Sequence, residues 1–161
     1  MTPGQAVLLG LLSLGVVAAA VAVVVLSLRL QDANAESSSK NAILQAARQQ
    51  GVNLTTLDHR SVDEDLQRVL ASSTGAFKEE FEAGTKDVTD LVVQNKAVST
   101  GEVLEAGIVT ADSDSARTLV VVDSKVTNSA TGDEQLRHYR MQLDLVRKGD
   151  RWLTSDLTFE G

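Results

Sequence analysis

The 161-residue chain holds 15 basic and 22 acidic side chains, a net charge of −7, with no cysteine and only 3% aromatic residues. Without cysteine there is no disulfide framework, thiolate metal site or cysteine nucleophile, and the core must be built from Val, Leu, Ile and Ala. Residues 30–161 carry all 22 acidic side chains against 14 basic ones, a balance of −8 that repels nucleic acid and excludes it as a main partner.

The first element is an uncharged run, AVLLGLLSLGVVAAAVAVVVLSL, at residues 6–28. As an α-helix its 23 residues reach about 35 Å, enough to cross a hydrocarbon core of ~30 Å. Secretory signals have a shorter apolar region behind positive charge. Here no basic side chain precedes the run, although Ala33-Asn34-Ala35 has the form of a cleavage site. Length favours an anchor in the lipid bilayer through residues 6–28 over a cleaved signal, and a helix apolar all round is a poor core element of a small domain. Lys and Arg near the span are Arg29, Lys40 and Arg48, all on its C-terminal side. Taken alone, that count puts the rest of the chain in the cytoplasm. It leans on Arg29, with Asp32 and Glu36 close behind, and leaves the side open.

Ser37-Ser38-Ser39 reads as a hinge, and Ile43, Leu44, Ala46 and Ala47 as a stalk helix ending near Gly51. Ser61 with Glu64 three residues on forms a capping box ahead of Leu66, Val69 and Leu70, which share one helix face. Phe77, Phe81, Val88, Leu91 and Val92 make an apolar stripe on a helix from about Gly75 to Asn95. The period then drops to two. Val98–Thr110, Arg117–Thr127, Glu134–Arg147 and Arg151–Phe159 read as strands, joined by polar turns that imply antiparallel neighbours. In the third, Tyr139, Met141, Leu143 and Leu145 face one way and His138, Arg140, Gln142 and Asp144 the other. Three helices covering one face of a four-stranded antiparallel meander make an α+β domain. The expected division is an anchor at 1–30, a stalk helix or linker at 31–50 and the domain at 51–161.

Several stretches, in order, carry a family likeness: DEDLQRVLASSTGAFKEEFE, NKAVSTGEVLEAGIVTADSDSA, LVVVDSKVTN and RHYRMQLDLVRKGDRWLTSDLTFEG. The chain from Leu44 to Gly161 resembles the Mce-associated membrane proteins of actinobacteria. That resemblance implies a single-pass cell-membrane protein whose C-terminal domain is extracytoplasmic and has an NTF2-like fold close to the VirB8 periplasmic domain. It also implies Mce transporter subunits or related membrane proteins as partners, in the transport of lipids or sterols. Members commonly carry a basic tail before the span; five residues precede this one.

Sequence motifs for chemistry are sparse. His59 lies ahead of the capping box and His138 on a polar strand face, each read as a solvated surface histidine. Asp112-Ser113-Asp114-Ser115 begins like a calcium loop but lacks the later glycine and glutamate, and reads as a hairpin turn. Asn53-Leu54-Thr55 fits a glycosylation sequon. No serine stands in a G-x-S-x-G or S-x-x-K setting. NTF2-like domains often hold a pocket, for which Tyr139 and Asp123 (placed with Leu119 and Val121) are candidates, but they read as a core tyrosine and a strand-edge aspartate. Trp152 reads as core. No catalytic, cofactor-binding or metal-binding residue is assigned, and no cofactor is expected. The expected function is a non-enzymatic accessory or scaffold subunit of an Mce-type transporter. The alternatives are an anchored pocket protein that binds or isomerises a small apolar ligand, and a VirB8-like component of a secretion machine.

Overall fold

In the computed structural model, residues 36–130 and 132–160 are described. The span expected at residues 6–28 lies outside them. Among the described residues no helix is long and apolar enough to cross a membrane. Residues 40–161 form one compact unit.

Helix α1 covers residues 36–55 and is followed by strand β1, Leu57–Asp58. Helices α2, Val62–Ala71, and α3, Gly75–Gln94, come next. Strands β2 (Val98–Ala111), β3 (Ser115–Thr127), β4 (Gln135–Lys148) and β5 (Arg151–Phe159) complete the domain. The sheet has five strands in the order β1-β2-β3-β4-β5, every neighbouring pair antiparallel. The meander therefore carries one strand more than the four expected. β1 is two residues long, too short for an alternating pattern to reveal, and pairs only with Ser99 and Val98.

One core lies between α1 and the inner sheet face. Ile43 and Ala47 of α1 meet Val120, Val122, Met141, Leu143, Leu145 and Trp152 there. The alternation read in β4 and β5 thus sorts side chains as expected, with Trp152 buried. Residues 40–50, expected as stalk or linker, are instead built into this core. Polar tethers fix them: Gln50, fully buried, donates from Nε2 to Ser73 Oγ at 3.1 Å and accepts from Ser72 Oγ. Asn53 Nδ2 donates to the Arg68 carbonyl at 3.3 Å and to Ser72 Oγ at 3.2 Å. These bonds hold α1 against the α2–α3 junction. That junction in turn covers the outer edge of β5, where the Thr74 and Thr154 amides bond the carbonyls of Thr154 and Ser72 at 2.8 and 2.9 Å.

A second, smaller core joins Val62 and Leu66 of α2 to Val92 of α3, with Leu57, Phe81, Val88 and Ala97 packed around them. The start of α2 differs from the expected capping box: Ser61 makes no side-chain bond to the helix backbone. The buried carboxylate of Asp65 organises this end, accepting the Asp58 amide at 2.7 Å and Arg68 Nη2 at 2.5 Å. Asp65 so ties β1 to α2.

β2 departs from simple alternation at two bulges. Its register on β3 skips at Leu104 and Val109, and both side chains stand exposed. An extra residue opposite one partner bends a strand and raises its twist. Beyond Ser99, no strand pairs with the outer edge of β2 among the described residues. The β4–β5 hairpin closes through Gly149 at φ 62°, a left-handed value that glycine adopts without a steric penalty.

Candidate functional site

The two cores do not meet. Between them lies an apolar cleft of about 580 Å³, to which every described helix and strand contributes. Leu54 of α1 and Leu57 of β1 stand at one side, Phe81, Val88 and Leu91 of α3 form the roof, and Tyr139, Leu157 and Phe159 line the sheet wall. The α3 stripe was legible in sequence, yet Val92 is its one buried residue in the helix and Leu91 remains 62% exposed. Phe81, Val88 and Val92 of the stripe pack on the second core, and with Leu91 they also overhang the cleft. The facing sheet surface carries the short side chains of Ser99, Ser124 and Val126 there, so the two layers leave a gap.

Most polar groups on the lining are already used. Thr55 Oγ1 donates to the Gly51 carbonyl at 2.7 Å, and Ser124 Oγ donates to the Thr55 carbonyl at 3.1 Å. Ser99 Oγ accepts the Leu57 amide at 3.1 Å, and Asn53 serves the α1 tether. Two groups stand apart. The Tyr139 hydroxyl has no hydrogen-bond partner among the described residues. Among the described residues Arg137, two residues earlier on β4, donates to Gln135 Oε1 of its own strand, at 3.4 Å. Arg137 is also the one charged residue on the lining.

The residues singled out in the sequence fall in different places. Tyr139 reaches the cleft, its ring 6.1 Å from that of Phe159 between centroids. Asp123 shares a strand face with Leu119 and Val121 as expected, but that face is the outer one. There it meets its register partner His138 with Oδ1 2.6 Å from Nδ1. Tyr139 and Asp123 therefore lie on opposite sides of the sheet and form no acid–base pair. His59 is half-buried, its Nδ1 3.5 Å from Asp58 Oδ1. Asp112 and Asp114 sit in the β2–β3 turn, where the Asp112 amide bonds the Ser115 carbonyl at 2.8 Å. Asn53 of the sequon is buried in α1.

Two ion pairs shift carboxylates on the surface. The Arg60 side chain and amide hold the Asp58 carboxyl well below the usual carboxylate range. On the outer sheet face Arg117 grips Asp144 in a fork, Nε to Oδ1 at 2.7 Å and Nη2 to Oδ2 at 2.8 Å. That contact lowers the Asp144 pKa and raises that of Arg117.

Comparison with known proteins adds family and fold. A family model described as "Uncharacterized protein Rv1363c/MT1408-like" matches residues 5–160. "Uncharacterized protein Rv1363c" of Mycobacterium tuberculosis is 34% identical over 125 residues, which cover 77% of this chain and 48% of that one. The chain thus spans about half the length of the curated relative it matches. Among solved structures, the periplasmic domain of DotI aligns with a TM-score of 0.62 at 14% identity, covering 74% of this chain and 94% of that one. CagV, a VirB8 homologue of the Helicobacter pylori type IV secretion system, aligns with a TM-score of 0.59 at 9% identity, covering 74% and 96%. An Ntf2-like protein involved in plasmid conjugation aligns at 0.50 and 11% identity, covering 74% and 48%. At such identities the likeness is one of fold: a VirB8-like, NTF2-like α+β domain with a curved antiparallel sheet.

Proposed function

The chain belongs to the Rv1363c/MT1408-like family, and from that premise we propose that it is a non-enzymatic, single-pass accessory or scaffold subunit of an envelope assembly. The observation that carries this reading is the pairing of two features. Residues 6–28 form an uncharged stretch of membrane-spanning length, and the domain behind it has a fold also used by a periplasmic domain and by a VirB8 homologue. In this reading the span fixes the domain beside its partner on the extracytoplasmic side, and the sheet's outer face or the β2 edge makes the contact. The assembly is an Mce-type lipid or sterol transporter, a choice supported by the sequence stretches that resemble Mce-associated proteins. A VirB8-like role in secretion has the coarse support of fold alone. Affinity capture of the tagged full chain from membranes tests the choice. Mce or permease subunits should be recovered; secretion-channel components, or neither set, would overturn it.

A second reading is favoured by one observation, the cleft. An apolar concavity of about 580 Å³ lies within the size range of small-ligand sites, so the anchored domain would hold a small apolar ligand. Isomerisation has less support than binding, because Asp123 faces away from Tyr139 across the sheet.

A further inference from the structure

The cleft combines a hydrocarbon-like interior with a polar edge of one sign. Leu54, Phe81, Val88 and Leu157 offer apolar surface, and the Thr55, Ser99 and Ser124 side chains beside them are satisfied within the protein. A ligand portion lying there gains by leaving water and meets no unmet hydrogen-bonding demand. Arg137 and Tyr139 are different. They alternate with the outward-facing His138 and so project from the same face of β4. They bring a guanidinium and a free hydroxyl to one stretch of the wall. In a domain with a balance of −8, the one charged lining residue is a cation. A guanidinium matches a carboxylate in bidentate geometry, and a phenol adds a further donor.

We propose that the cleft binds a long-chain carboxylate, its acyl chain lying along Leu54, Phe81, Val88 and Leu157 and its head held by the Arg137 guanidinium and the Tyr139 hydroxyl. This rests on the second reading above, that the cleft takes an apolar ligand, and adds the head group and its reader. Size agrees. A methylene takes up roughly the volume of a liquid water molecule, about 30 Å³, so a sixteen-carbon chain needs roughly 480 Å³. The cleft of about 580 Å³ has room for such a chain.

The test uses the full chain in phosphatidylcholine nanodiscs with a diazirine-bearing palmitate as photoprobe, the labelled peptides being mapped by mass spectrometry. Label should fall on peptides containing Leu54, Phe81 or Leu157. Unlabelled palmitate should compete at least about tenfold better than hexadecanol, which has the chain without the charge. Arg137→Leu should weaken labelling by about tenfold or more, while Arg137→Lys, which keeps the charge without the fork, should lose less. Unchanged thermal unfolding of both variants separates this loss from misfolding. Equal competition by hexadecanol, or undiminished labelling of Arg137→Leu, overturns the carboxylate assignment and leaves the apolar-ligand reading standing. Phosphatidylglycerol in the disc displacing the probe as well as palmitate does would make the ligand a membrane lipid and also overturn it. Label absent from all cleft peptides overturns both.

Discussion

At single positions the fold is most exacting where α1 meets β2. A Cβ on Gly101 would stand 1.8 Å from Thr55 Oγ1 and 2.8 Å from Thr55 Cβ. Thr55 cannot easily yield, since its hydroxyl is bonded to the Gly51 carbonyl. Gly101→Ala should therefore lower stability by about 1–3 kcal/mol, read as an earlier urea midpoint at unchanged slope. The Arg117–Asp144 fork makes a different prediction, one of pH. Asp144 titrates lower in the folded chain than in the unfolded one, where a carboxyl has a pKa of about 3.9. Its stabilisation is thus full above the unfolded value and is lost as pH falls through the folded one. The stability difference between the natural chain and Asp144→Asn should be present at pH 7 and shrink steadily below pH ~4. A difference that stays constant to pH 2 would show that the charge contributes nothing.

Elements differ in how openly the sequence declares them. β4 is plain because Tyr139, Met141, Leu143 and Leu145 alternate with polar residues without a break. β2 is obscured, because Leu104 and Val109 are apolar side chains that two bulges turn outward, and nothing in local composition marks a bulge. α1 misleads for another reason. A glutamine reads as a surface residue, yet Gln50 is fully buried and bonded to Ser72 and Ser73, which lie more than twenty positions along the chain. Partners so far away are invisible to any helical-period count, so the segment reads as a stalk. Gln50→Ala should leave a cavity and remove two of the bonds that join α1 to the α2–α3 junction, costing about 2–4 kcal/mol. Hydrogen exchange of the α1 amides should quicken in that variant more than exchange in β3 and β4. Uniform quickening across the domain would argue that α1 is not held separately by this tether.

For the molecule as a whole, the order of helices before strands sufficed to anticipate the α+β layering. Beyond Tyr139, a pocket candidate through the family resemblance, the cleft was not legible, because its lining is assembled from eight elements and appears in no single window of sequence. Arg137 illustrates the difficulty: an arginine ahead of Tyr139 looks like the end of a packed strand face, and only the gap above it gives it a purpose. The proposed topology makes a prediction at this scale, that protease added to intact spheroplasts removes the C-terminal domain; full protection would put the domain in the cytoplasm. Among the described residues no strand pairs with the flank of β2 beyond Ser99, and past Gly101, whose amide donates to Thr56 Oγ1, that flank has a consequence of its own. Backbone amides and carbonyls left unmatched along a straight strand invite another polypeptide to zip onto them, and tethering to a bilayer would crowd many copies into two dimensions. The kinks at Leu104 and Val109 spoil that flank as a template. Neighbouring copies can then stand shoulder to shoulder without fusing into a continuous ribbon.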